Sequence, residues 1–370
     1  MQTLAIIGAS YLQLPLVNKA KEMGIHTLCF AWEEGAVCKG VADEFYPISI
    51  VEKEQILQIC QEKQIDGICT IASDVAAPTV AYIAERLGLM GNSYEVALRA
   101  SNKYQMRNAF VSAGVPCPKY QVVASLDEIN VNFDFPLIVK PTDRSGSLGI
   151  TKVTRQEDLV PAVENALGYS FKHEAIVEEF IEGREISVEF ISYQGKHYPL
   201  QITDKVTTEA PHFVELEHHQ PADLSQEQYT AIFELTERAL NALGVTNGAS
   251  HSEYKITTDG RVFVMEIGAR MGGDFIGSDL VYLSTGYDFL RGVIDVALGR
   301  FEKPSFGIPR CSGVYFLCEE TKRLSDVISN ADAPQIVRAE ITDNELRRVK
   351  CSADRSGYFI YQADQKYKLK

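Results

Sequence analysis

Short apolar runs alternate with helically spaced apolar positions along the first hundred residues. "TLAIIGA" is an apolar run that ends at Gly8, and the spacing over residues 12–23 predicts a helix. "HTLCFAW" and "DEFYPIS" predict strands, "VEKEQILQICQEKQ" a helix, "IDGICTIAS" a further strand and "APTVAYIAERLGL" a further helix. Strand–helix alternation with short links predicts βαβ units and a doubly wound parallel sheet. The first strand–helix turn, "GASYLQLPLV", carries only Gly8 of a GxGxxG fingerprint, so a dinucleotide site is not expected there. Asp74, at the end of a strand, is open to two readings: a ligand contact at the mouth of an open sheet, or the N-cap of the next helix.

The pattern changes at Ser101. "SNKYQMRNAFVSAG" predicts a helix with a Ser or Asn cap, closed by Gly114. "VPCPKYQVV", "FPLIVKP", "GITKVT", the helical "EDLVPAVENAL" and "AIVEEFI" form a small α+β unit over about residues 115–182. "EISVEFISYQGKHYPLQIT" reads as a hairpin, and "SQEQYTAIFELTERALNALGV" as a long amphipathic helix ending at Gly244. The expected division is an α/β domain over 1–100, a second domain over 101–300 and a small C-terminal α+β part over 301–370.

Composition narrows the partners. The 370 residues are 45% hydrophobic and carry a formal net charge of −14, which argues against nucleic acid or an anionic membrane as the main partner. Eight cysteines lie scattered without CxxC or zinc spacing, as expected of free thiols in a reducing compartment. "MQTLAIIGAS" begins a strand directly, so a leader is not expected and a cytoplasmic location is.

The chemistry concentrates in two places. "KPTDRSGSLG" sets Lys140 at the end of an apolar run, with the small residues Ser145, Gly146, Ser147 and Gly149 around Leu148. Such a loop can fold backbone N–H groups around phosphate oxygens, but its lysine precedes the glycines, unlike the common P-loop. The second is "HSEYKITTDGRVFVMEIGARMGGDF". With Asp259-Gly260 as a two-residue turn, counting back pairs Tyr254 with Met265 and Glu253 with Glu266. Two carboxylates with Cβ atoms about 5 Å apart call for compensation, and a hard divalent cation such as Mg²⁺ supplies it. The alternative is a solvated strand face or one protonated acid. His251, Gly268 and Arg270 share that face by the period of two, with Gly272 and Gly273 beyond. In "VEEFIEGRE", the strand end at Glu178 and Glu179 leads through Phe180 and Ile181 to Glu185, a layout suited to an adenine edge and ribose hydroxyls. "PHFVELEHH" offers His212, Glu215, His218 and His219 either to a substrate or to solvent.

Taken in order, "SNKYQMRNAFVSAGVPCPKY", "PLIVKPTDRSGSLGI", "VEEFIEGREISVEF" and "HSEYKI…VFVMEIGARMGG" resemble the ATP-grasp superfamily of carboxylate–amine or carboxylate–thiol ligases, and "GASHSE" with "EIGARMGG" resembles the dipeptide-forming L-amino-acid ligases. The resemblance implies two antiparallel sheets gripping a nucleotide, with residues 115–182 as the lid. It implies ATP and Mg²⁺ as cofactors, with Mn²⁺ as a substitute, and a small-molecule carboxylate and amine as substrates. Lys103 and Lys140 would hold phosphates, residues 145–149 would close over them, Glu178 to Ile181 would line adenine and Glu185 would hold ribose. Glu253 and Glu266 would bind Mg²⁺, Arg270 and Gly273 would face the acyl phosphate, and His212 and Glu215 the substrate. His251 would be a base or a structural histidine. Gly268 departs from the pattern, since many relatives carry Asn there. A kinase of a small-molecule hydroxyl and a non-catalytic nucleotide-binding subunit are the competing readings, and a homodimer is compatible with all three.

Overall fold

The structure, a computed structural model, describes residues 1–144, 148–208, 212–329 and 333–367. Among the described residues the strands assemble into three sheets. The first holds β1 (Thr3–Ile7), β2 (His26–Phe30), β3 (Glu44–Tyr46) and β4 (Gly67–Cys69), all parallel, in the order β3-β2-β1-β4. Helix Leu14–Glu22 connects β1 to β2, helix Lys53–Glu62 connects β3 to β4, helix Ala77–Leu87 follows β4, and all three cover the sheet. Buried runs such as Leu4–Ile7 and Leu28–Phe30 are apolar on both faces because both are covered.

The second sheet is antiparallel, in the order β5-β8-β6-β7, from β5 (Tyr120–Val123), β6 (Leu137–Pro141), β7 (Thr151–Val153) and β8 (Ala175–Glu179). Helix Leu159–Tyr169 packs Ala162, Val163 and Ala166 against its Val139 and Val177.

The third sheet runs β13-β12-β9-β10-β11-β14-β16-β15. Its strands are β9 (Arg184–Tyr193), β10 (Lys196–Thr207), β11 (Glu215–Gln220), β12 (Gly248–Ile256), β13 (Val262–Gly268), β14 (Cys311–Leu317), β15 (Ile336–Ile341) and β16 (Gly357–Ala363). The β9–β10 hairpin turns at Gln194-Gly195, both at positive φ, as a two-residue turn of this kind requires. Helix Gln226–Leu243, capped by Ser225 and Gln228 and stopped by Gly244 at φ 81, packs one face of this sheet together with helix Lys103–Ser112. The C-terminal strands form no layer of their own: β14 pairs with β11 and carries β16 and β15 outward in the same sheet.

The β12–β13 hairpin departs from the predicted count at two points. Thr257 pairs with Arg261, so the loop has three residues, with Gly260 at φ 85, and Ile256 faces Val262 rather than Phe263. Further along, Met265 bulges out between Val264 and Glu266. The bulge moves the register back by one residue, so Glu253 still faces Glu266. Arg107 satisfies the bulged carbonyl, donating from Nη2 to the Met265 oxygen at 2.6 Å.

Candidate active site

A cleft of about 260 Å³ opens between the second and third sheets, closed at its end by the loop after β4. Helix Lys103–Ser112 builds one corner. The Asn102 side chain caps it at Gln105 N, and the Lys103 N–H donates to Thr142 O just past β6. The Lys103 ammonium is thereby placed 3.1 Å from Glu266 and 2.8 Å from Arg144 O. One turn on, wholly buried Arg107 meets Glu178 at 2.7 Å, and Glu178 meets Lys140 at 2.7 Å. The Glu178 carboxylate is thus spent inside this triad. Burial would raise its pKa, but Arg107 and Lys140 hold it below the usual range. Burial lowers the pKa of Lys140, and Glu178 offsets this only in part. Glu179, Phe180 and Ile181 line the cleft beyond, with the Glu179 and Phe180 amides already donating to Lys119 O and Pro136 O.

On the third sheet the acids and bases stand in rows. Glu185 lies opposite both Lys205 and Lys255, and bonds Lys255 at 2.6 Å. Lys205, 5% exposed, reaches Glu253 at 2.6 Å and Glu215 at 3.5 Å. Burial would lower its pKa, yet these acids raise it, so it is a fixed cation. Burial would likewise raise the Glu253 pKa, but Lys205 and His251 hold it well below the carboxylate range. His251 donates from Nδ1 to wholly buried Glu189 and stands 3.5 Å from Glu253 through Nε2. Burial works against its charge, but Glu189 and Glu253 push its pKa up to about 9. Both acids favour the protonated ring, so the partners of His251 suit a structural histidine that steadies Glu253 as well as a base.

Arg270 lies half-buried against Asp74, 2.7 Å from Nη2 to Oδ2. Asp74 is not the N-cap of helix Ala77–Leu87, where Ser73 Oγ accepts from the Ala76 amide instead. Its carboxylate crosses from the first sheet to the third. The pair accounts for Gly268: a Cβ there would come within 2.6 Å of Asp74 Oδ1 and 3.1 Å of the Arg270 guanidinium carbon.

Several expected residues lie elsewhere. Ser145, Gly146 and Ser147 fall outside the described residues, while Leu148 lines the cleft and Gly149 turns at φ 71 against Pro141 and Tyr169. His212 does not line the cleft; its neighbours Phe213 and Glu215 do. His219 is buried between Tyr361 and Glu217, a structural position. Gly273, three residues past the cleft-lining Arg270, is not itself among the lining residues and lies beside Ala72 in the loop after β4. Sequence reasoning missed Lys205 and Glu189 as site residues. No local signal pointed to Lys205: a bulge between Pro199 and Gln201 brings it opposite Glu185, where a straight count from the turn sets Asp204.

Glu253 and Glu266 give two carboxylates on one wall of the cleft, and among the described residues no group of three or more acid, Cys or His ligands gathers to hold an ion. Two carboxylates without a protein cage fit Mg²⁺, which completes its shell with phosphate oxygens and water.

Two sheets closing on a lysine-lined cleft define the class: the fold is that of the ATP-grasp enzymes, and residues 133–279 match the ATP-grasp domain family. The chain resembles the L-amino acid ligase from Bacillus licheniformis (TM-score 0.80, 24% identity, 99% of this chain and 94% of that one) and the phosphoribosylglycinamide synthetase from Anaerococcus prevotii (TM-score 0.79, 23% identity, 99% and 95%). Among curated proteins it is 31% identical over 245 residues to the alanine–anticapsin ligase of Bacillus subtilis strain 168, covering 60% of this chain and 51% of the relative. It is 26% identical over 249 residues to the D-alanine–D-alanine ligase of Geobacter sulfurreducens, covering 64% and 78%. The chain thus spans about half the length of the first curated relative it matches.

Proposed function

We propose that this protein is an ATP- and Mg²⁺-dependent ligase that activates a carboxylate as an acyl phosphate and joins it to an amine, with amino acids as the substrate class. The observation that carries this reading is the facing pair Glu253 and Glu266, set in one cleft with Lys103, Lys140, Lys205 and Arg270. So many cations around one cleft suit a polyphosphate and a second anion beside it.

In this reading a substrate carboxylate oxygen attacks the γ-phosphorus of ATP, the bond to the β-phosphate oxygen breaks and ADP leaves. The amine then attacks the acyl carbon, the C–O bond to phosphate breaks and the amine loses a proton. Bound Mg²⁺ supplies charge neutralisation for the phosphoryl group, and Glu253 and Glu266 are the residues that would hold it. Lys103 and Lys140 hold phosphates, and Glu178 keeps Lys140 aimed from below. Glu179 to Ile181 line the adenine, and Glu185 takes the ribose. Arg270 clamps the carboxylate or its phosphate, and the Gly273 N–H faces the oxyanion. His251, held by Glu189, steadies Glu253. Glu215, beside Lys205, is placed to meet the amine substrate. The cytoplasm as location, Mn²⁺ as a substitute ion, a homodimer and the division at residues 100 and 300 belong to the same proposal.

Amino acids supplied in pairs, with ADP release followed by a coupled assay and products by mass spectrometry, test it. The expected result is ADP release that needs both a carboxylate and an amine, with an amide product. ADP release on a hydroxyl compound alone would make the protein a kinase, and nucleotide binding without turnover a non-catalytic subunit.

A further inference from the structure

The turn after Gly272-Gly273 is held in an unusual shape. Asp274 (φ 48) and Phe275 (φ 65) are consecutive residues with side chains in the left-handed region, which L residues enter only when their surroundings hold them there. The backbone is pinned on either side of Gly273. Met271 O accepts from the Ala72 N–H at 3.0 Å, and the Gly272 N–H donates to Glu189 at 3.3 Å. Asp274 receives both terminal nitrogens of Arg355, each at 2.8 Å. Between these anchors, and among the described residues, the Gly273 N–H has no hydrogen-bond acceptor.

Arg355 comes from the C-terminal part of the chain. It is 6% exposed, its guanidinium carbon lies 3.8 Å from the Phe316 ring centroid, and its Nε donates to Ser352 O at 2.9 Å. Phe275 packs on Tyr358 and Phe316, from β16 and β14. His218, 3.9 Å from Asp274, is buried with both ring nitrogens unpartnered, and burial favours its neutral form, so the neutralising charge on Asp274 comes from Arg355.

We propose that Arg355 is a positioning residue: through its two-pronged grip on Asp274 it fixes the turn that carries the free Gly273 N–H, the donor that the ligase reading assigns to the developing oxyanion. Its catalytic consequence rests on the ligase reading; the pinning of the turn does not. A planar fork matched to a carboxylate fixes orientation as well as charge, which a lysine cannot do. A preset backbone donor is worth about 10²–10³-fold in kcat, and misplacement of about 1 Å costs about 10²-fold.

The test uses the full chain with Arg355→Lys, Asp274→Asn and the double variant. Hydrogen exchange is read on peptides spanning residues 271–277, and kcat at saturating substrates is set against affinity for ADP with Mg²⁺, measured by calorimetry. Expected in each variant are faster exchange confined to this turn and a kcat lower by about 10²-fold, with ADP affinity within about twofold of wild type. The double variant falls no further than either single change, because both act through one contact. Unchanged exchange overturns the proposal. So does an unchanged kcat in an active wild-type background, or loss of fold or of ADP affinity in both single variants, which would make Arg355 part of the general scaffold. A wild-type protein that binds ADP but never turns over refutes the ligase reading, while the exchange result still decides what holds the turn.

Discussion

Glu253 and Glu266 face each other across one strand pair, and each is balanced by a lysine that could equally serve phosphate: Lys205 at 2.6 Å and Lys103 at 3.1 Å. Glu266→Gln keeps the shape and the hydrogen bonding but removes a charge the cation needs. ADP formation in the coupled assay should fall at least about 10²-fold with the far-ultraviolet dichroism unchanged; near-wild-type turnover would remove the metal role. At Gly268 an added Cβ would meet Asp74 Oδ1 at 2.6 Å, so the Asp74–Arg270 pair would have to shift to admit it. Gly268→Asn, the residue that the family resemblance leads one to expect there, should therefore displace Arg270 from Asp74 and lower kcat rather than raise it, a result steady-state kinetics would show directly. The facing acids were legible in the sequence because a hairpin turn and a period of two place them. Asp74, Lys205 and Glu189 were less so, because each acquires its partner from a strand distant along the chain, and no local pattern records that pairing.

At the scale of elements, helix Lys103–Ser112 ties the two gripping sheets together through Arg107, which bonds Met265 on β13 and Glu178 on β8. The same arginine satisfies the bulge that returns Glu253 opposite Glu266. Counting from Asp259-Gly260 therefore reached the right pair by two errors of opposite sign: a three-residue loop where two were assumed, and an extra residue at Met265. A bulge whose carbonyl is satisfied by a helix from another part of the chain leaves no local signal. Glu178→Gln should leave Arg107 and Lys140 with an uncompensated buried charge and cost about 3–5 kcal/mol, read as a lower midpoint in urea. The pH dependence follows from the sign of the shift. The folded-state pKa of Glu178 is depressed, so its stabilisation is complete above the ordinary glutamate range and is lost as pH falls through and below it. The acid limb of the stability curve should flatten in the glutamine variant; an unchanged limb would show that the triad does not drive it.

For the molecule as a whole, the first and third sheets share one buried core, in which Leu16, Ile71, Met271 and Ile294 pack together, whereas the second sheet keeps a core of its own around Val139 and Val177. The C-terminal strands extend the third sheet through β14 on β11, a pairing between segments about a hundred residues apart that alternation alone could not have placed. The cleft thus lies between a larger body and a smaller one, and helix Lys103–Ser112 bridges them through Arg107, which reaches Met265 on β13 and Glu178 on β8. A ligand that bridges two such bodies and binds only the folded state stabilises it by mass action, about 2.7 kcal/mol at a hundredfold excess over Kd. ADP with Mg²⁺ should accordingly raise the thermal midpoint more than ADP with a chelator, since the ion links the nucleotide to Glu253 and Glu266. In a Glu253→Gln/Glu266→Gln variant the two midpoints should coincide, while Lys140→Ala should shrink both ADP-induced shifts together, because in the proposed function that lysine holds phosphate. Equal shifts with and without Mg²⁺ in the wild type, read by differential scanning fluorimetry, would mean that the facing carboxylates hold no ion beneath the nucleotide.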